Sequence, residues 1–171
     1  FASGVLRLGH KLGPIHWQFA PSKSFDAEDF GAFLALLPDS LEGRRLRHAV
    51  EVRHPSFRVP AFVALARRRG VAIVVAGDSD YPQIADPTAP FVYARIMGTS
   101  ERAKAGYGPK AIEAWAARAR SWAAGGVPAD LTRVEEGRAP AAKTRDVFLY
   151  VISGHKERNP MAAQALIRRL G

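Results

Sequence analysis

Val71 to Ala76 is an unbroken apolar run between Gly70 and the polar segment Gly77-Asp78-Ser79-Asp80. A strand with one wet face alternates apolar and polar side chains, so a strand apolar on both faces has to be covered on both. The run therefore predicts a parallel strand buried inside an α/β sheet. The residues before it agree. Pro60 to Arg69 has the pattern of a helix, with Pro60 in the first turn and Gly70 where a C-terminal glycine cap belongs.

The same alternation extends along the chain. Ile15 to Phe19, Ala49 to Arg53, Phe91 to Met97 and Val147 to Ile152 are rich in β-branched and aromatic residues and predict four more strands. Asp26 to Leu37 predicts a helix, with Phe30, Phe33, Leu34 and Leu37 at helical spacing. Pro109 to Ala124 predicts another, with Ile112, Trp115, Ala119 and Trp122 as packing residues along one side, and Pro160 to Leu170 predicts the last. Pro38 to Arg47 is expected to be a loop, and residues 127–144 a long mobile loop. The order β-α-β-α-β-loop-β-α-β-α implies parallel strands with helices outside. Residues 1–171 are expected to form a single α/β domain, either an open sheet or a partial TIM-like (β/α) barrel of about five parallel strands. Five strands are too few to close an eight-stranded barrel.

The chain carries 25 basic and 16 acidic residues, a formal charge of +9, and no cysteine. Anionic partners are electrostatically favoured. The basic residues are scattered, however, and Arg67-Arg68-Arg69 and Arg168-Arg169 fall where cations complement helix C-termini. No zinc finger or aromatic-basic motif is present, which argues against nucleic acid. No apolar run approaches the length of a membrane span and no signal-peptide pattern opens the chain, so a cytoplasmic protein is expected.

The C-terminal ends of parallel strands lie together, and polar residues gather there. Glu51 and Arg53 are two residues apart and share a face of their strand. Gln18 is the polar exception within the first strand, His54 follows the second, Asp78 follows the third, and Tyr93 and Arg95 share a face of the fourth. His155 and Lys156 follow the fifth. Two readings of Glu51 and Arg53 stand side by side: an acid, base or ligand beside an anion clamp, or an ion pair that orders the interior. Arg95 binds either an anion or a neighbouring carboxylate. Asp78 and Asp80 either share a divalent ion or cap their loop. His54 either takes part in catalysis or shapes the turn before Pro55. Catalytic roles are expected for Glu51, His54 and Asp78, and ligand binding for Gln18, Arg53, Tyr93 and Arg95. No role is assigned to His10 or His16, and His48 lies at the opposite end of its strand. No metal-ligand spacing, Gly-rich dinucleotide loop or phosphate-binding loop is found, and the cofactor is unknown.

Four segments occur in an order that resembles the YecE-like family, a domain of unknown function (DUF72). They are Trp17-Gln18-Phe19-Ala20-Pro21, Glu51 to Phe57, Tyr93-Ala94-Arg95-Ile96-Met97-Gly98, and the terminal stretch from Phe148 to Leu170. The resemblance implies a TIM-barrel-like fold with a polar cluster on its C-terminal side. It also places this chain in the later half to two-thirds of a longer barrel, with Ile15 to Phe19 as the fourth strand and Val147 to Ile152 as the eighth. The family's two earlier strand motifs do not occur here, and Ile152-Ser153 stands where many members carry a pair of Asn residues. A partial barrel has open edges, so a companion fragment, self-association or a cut parent chain is expected. Three functions remain: an enzyme acting by acid/base chemistry on a small anionic or phosphorylated substrate, a non-catalytic anion-binding or interaction module, and nucleic-acid processing.

Overall fold

Five strands form one parallel sheet in the computed structural model, which describes residues 2–135 and 144–171. In chain order the elements are α1 (Ala2–Val5), β1 (Ile15–Gln18), α2 (Ala27–Ala35), β2 (Ser40–Leu41), β3 (Arg44–Arg45), β4 (His48–Glu51), α3 (Pro60–Arg68), β5 (Ala72–Gly77), β6 (Phe91–Ile96), α4 (Pro109–Ala123), β7 (Asp146–Val151) and α5 (Asn159–Leu170). The sheet order is β1-β4-β5-β6-β7, with every neighbouring pair parallel. This is the parallel α/β sheet that the strand-helix alternation predicts, and of the two architectures left open it is the partial TIM-like one.

Local chemistry sets the element ends. Asp26 caps α2 by accepting from the Asp29 backbone N–H at 2.8 Å. Pro60 opens α3, and Gly70 leaves it at φ +61°, in the left-handed region. The segment 38–47, expected as a loop, contains the antiparallel hairpin β2–β3. Its turn residues Glu42 and Gly43 have φ of 49° and 74°, the signature of a tight two-residue hairpin turn. Two-residue strands are too short to alternate, so the sequence carries no strand signal there. Residues 127–135 of the predicted long loop lie against the body: Thr132 donates its backbone N–H to Gln83, and Val134 and Glu135 donate theirs to Asp86. Residues 136–143 of that segment lie outside the described residues.

The pleat sorts side chains into three apolar groups. Outward from β4 and β5, Val50, Val52 and Ile73 pack with Phe30, Phe57 and Phe62 beneath α2 and α3. Outward from β5 and β6, Val75, Ala94 and Ile96 pack with Trp115, Trp122 and Leu166 beneath α4 and α5. The concave side holds Ala49, Ala72, Val74, Phe91 and Tyr93. Gly77 sits so close to the Trp115 ring that a Cβ there would overlap it.

The sheet is strongly curled. β1 and β6 lie three places apart in the order, which on a flat sheet is about 14 Å. Yet the His16 ring of β1 stacks on Tyr93 of β6 with centroids 5.4 Å apart and planes at 18°. Only barrel-like curvature brings these strands face to face.

Candidate functional site

Strand parity selects the residues of the concave face. His16 and Gln18 share it on β1, opposite Ala49 and Glu51 of β4. On β6 it is Phe91, Tyr93 and Arg95, with Arg95 in register with Ala76 on one side and Tyr150 on the other. Gln18, Glu51 and Arg95 therefore stand at the C-terminal ends of three strands, and Arg53 reaches in from just beyond β4.

Glu51 is the centre. It is 0% exposed. Its Oε1 accepts from Arg53 Nε at 2.8 Å, and its Oε2 accepts from Arg95 Nη1. Arg53 Nη2 donates to Gln18 Oε1 at 2.8 Å, and Arg95 Nη1 to the same oxygen at 3.3 Å. The Arg53 guanidinium lies over the Tyr81 ring, 4.3 Å from its centroid. His16 Nε2 is 3.2 Å from Glu51 Oε2 but off the hydrogen-bond axis, and the pair is an ion pair only when the ring is protonated. Burial alone would raise the Glu51 pKa. The contacts from His16, Arg95 and Arg53 outweigh it and hold the carboxyl down at about 2. Both guanidinium groups stay partly open to solvent, with side-chain exposures of 18% for Arg53 and 16% for Arg95. Two permanent cations face one permanent anion, so the cluster is net positive.

Tyr93 lies beneath Arg95, stacked between His16 and Tyr150, whose ring centroid is 5.0 Å away. Burial, reinforced by Tyr150, raises its hydroxyl pKa. His16 was not singled out from sequence. The available signal was parity: it lies two residues before Gln18 on the same strand.

The other candidates make different contacts. Asp78 stands after β5 at φ +52° and accepts from Trp115 Nε1 at 2.8 Å, so its carboxylate ties the strand end to α4. Nearby, the Tyr107 hydroxyl accepts from the Gly98 N–H at 2.7 Å, and burial together with Asp78 pushes its pKa upward. His54 lies 2.8 Å from Ser56 Oγ through Nδ1 and accepts there from the Ser56 backbone N–H at 3.3 Å, capping the turn Pro55–Phe57. No contact among the described residues joins Asp78 or His54 to Glu51. The His155 ring faces Glu157 at 3.8 Å in the turn after β7. Among the described residues no set of three or more His, Asp or Glu side chains is grouped as metal ligands. No helix of the described residues is long and apolar enough to cross a membrane. A cavity of about 590 Å³, lined by Asp78, Ser79, Asp80, Tyr81, Met97 and Ser153, opens at the same strand ends. Tyr81 joins it to the Arg53 side of the cluster.

A curled parallel sheet with outer helices and a charged cluster at its C-terminal strand ends defines a protein of the (β/α)-barrel class. The chain belongs to the family described as protein of unknown function DUF72, whose model matches residues 1–171. It is similar in fold to a DUF72 family protein from Thermotoga maritima, with a TM-score of 0.69 and 16% identity, over 96% of this chain and 60% of that one. It is also similar to a DUF72 family protein from Enterococcus faecalis, with a TM-score of 0.64 and 14% identity, over 96% of this chain and 63% of that one. The chain thus spans about three fifths of the length of these solved relatives. No curated protein matches it.

Proposed function

We propose that the Glu51 cluster binds a small anion, a phosphate or carboxylate group, through Arg53 and Arg95. The observation that carries this reading is the arrangement of two partly open guanidinium groups around one fully buried carboxylate. Arginine presents planar paired donors that suit carboxylate and phosphate oxygens. Glu51 and Gln18 hold the two forks in place before a ligand arrives, which lowers the ordering cost of binding. A carboxyl held at about 2 stays ionised near neutrality and is too weak a base to accept a proton there. Glu51 is therefore a positioning residue. Acid/base chemistry on the bound anion falls to another group, and His16, on the same concave face and beside Glu51, is the side chain so placed. The neighbouring cavity, with Asp78 and Asp80 on its wall, holds the uncharged remainder of the ligand.

The test is calorimetric titration of the protein with inorganic phosphate and a panel of small phosphate esters and carboxylates. Replacing Arg95 by Lys keeps the charge and removes the fork, and is expected to weaken binding about tenfold. Unchanged affinity in that variant, with the parent binding the same anion, would sink the assignment.

A further inference from the structure

A second cavity, basic and of about 670 Å³, lies at the opposite end of the strands. It is bounded by the β2–β3 hairpin, the C-terminal end of α3 and the starts of β4 and β6. Five arginines line it, Arg45, Arg47, Arg67, Arg68 and Arg69, against one carboxylate, Asp39, among the described residues. Two of the five are paired: Arg47 with Asp146 at 2.8 Å and Arg67 with Glu135 at 2.6 Å. Arg45, Arg68 and Arg69 are exposed and have no hydrogen-bond or ion-pair partner among the described residues.

Helix-end cations complement the macrodipole, which accounts for an arginine or two at the end of α3. It does not account for Arg45 and Arg47, which arrive from a different segment. Nor does it require three successive residues to line one cavity, since successive helical positions are about 100° apart. Unpaired like charges gathered in one concavity repel, and among the described residues Asp39 is the one carboxylate in the lining to set against them. A bound polyanion reverses the sign of that repulsion.

We infer that this cavity is a second anion site, built for a small molecule carrying several phosphate groups. A volume of about 670 Å³ is in the range of small-molecule sites and exceeds what a single phosphate fills. Nucleic acid fits less well. The arginines line a concavity instead of a stripe, and the aromatic side chain in the lining, Phe91, is 3% exposed and offers no face for stacking a base. The site is separate from the Glu51 cluster: Phe91 and Arg95 lie about 13 Å apart along β6.

The experiment is calorimetric titration with inorganic tripolyphosphate, on the parent protein, on an Arg45→Gln/Arg68→Gln/Arg69→Gln variant and on Arg95→Lys. Among the described residues the three exposed arginines make no hydrogen bond or ion pair whose loss would unfold the chain, and circular dichroism checks that. Each lost charge-assisted contact weakens binding about tenfold, so the triple variant is expected to lose at least about 100-fold. Arg95→Lys is expected to leave tripolyphosphate binding at this cavity intact, and added salt to weaken it. Equal affinity in the triple variant, no binding to the parent, or loss only in Arg95→Lys overturns the inference. A single-stranded oligonucleotide that outcompetes tripolyphosphate in the parent but not in the triple variant overturns the choice of a small ligand.

Discussion

Replacing Glu51 by Gln isolates the charge at the centre of the cluster. The amide is nearly isosteric, so packing is kept while both guanidinium groups lose their counter-ion. A carboxyl that titrates at about 2 instead of its ordinary 4.5 contributes about 3 kcal/mol to folding at neutral pH. Breaking a buried pair by removing one partner gives a similar figure, about 3–5 kcal/mol. The lower end applies here, because Arg53 and Arg95 retain some contact with water. The sign follows from the direction of the shift. A depressed pKa means the contribution is complete above about pH 4.5 and is lost as the pH falls toward 2. Urea unfolding of parent and variant at pH 7, 4 and 2.5 reads this directly, with unchanged m values as the check on the reference state. Other carboxylates titrate in both proteins, so the difference between them reports Glu51. A gap of about 3 kcal/mol at pH 7 that closes toward pH 2.5 is expected. A gap below about 1 kcal/mol at pH 7, or one that does not change with pH, would refute the reasoning.

Substitutions at two further positions probe how β5 is held. Gly77→Ala places a Cβ against the Trp115 ring, which is 1% exposed and has no room to withdraw, so a loss of about 3 kcal/mol is expected in the same unfolding assay. Asp78→Ala leaves the Trp115 indole N–H without its acceptor and is expected to cost about 1–3 kcal/mol, whereas Asp78→Asn keeps an acceptor, tolerates the left-handed backbone and costs less; tryptophan fluorescence during unfolding follows both, and equal losses would show that the hydrogen bond is not the cause.

The parallel sheet was legible because strand periodicity and helix periodicity differ, and Val71 to Ala76 has no polar residue to blur it. The site was legible in part for the same reason. Gln18, Glu51 and Arg95 are polar residues at the ends of otherwise apolar strands, and a parallel sheet gathers such ends. Much of what failed to show depends on partners distant in sequence. Asp78 has the same strand-end address as Glu51, yet its carboxylate turns to Trp115, a contact across 37 residues that no local pattern encodes. His54 is a local case: its contacts with the Ser56 hydroxyl and backbone fit the turn-shaping alternative that Pro55 suggests. His16 shares the concave face, and its meeting with Tyr93 depends on how far the sheet curls, a global property. The hairpin at 40–45 escaped because its turn, Glu42-Gly43, lacks the Asn or Asp that usually announces a tight turn of this kind.

That curl has a consequence for the cluster at its centre. Backbone hydrogen bonds join each strand only to its neighbours and leave the bend of the arc to the side chains. Gln18 and Arg95 span a chord from β1 to β6, drawn tight by the shared contact with Arg53 and Glu51. An anion that takes donors from Arg95 competes with Gln18 for the same guanidinium and slackens the chord. On the proposed anion reading, occupancy and curvature are linked variables, and by reciprocity whatever fixes the separation of β1 and β6 would set how firmly the anion is held.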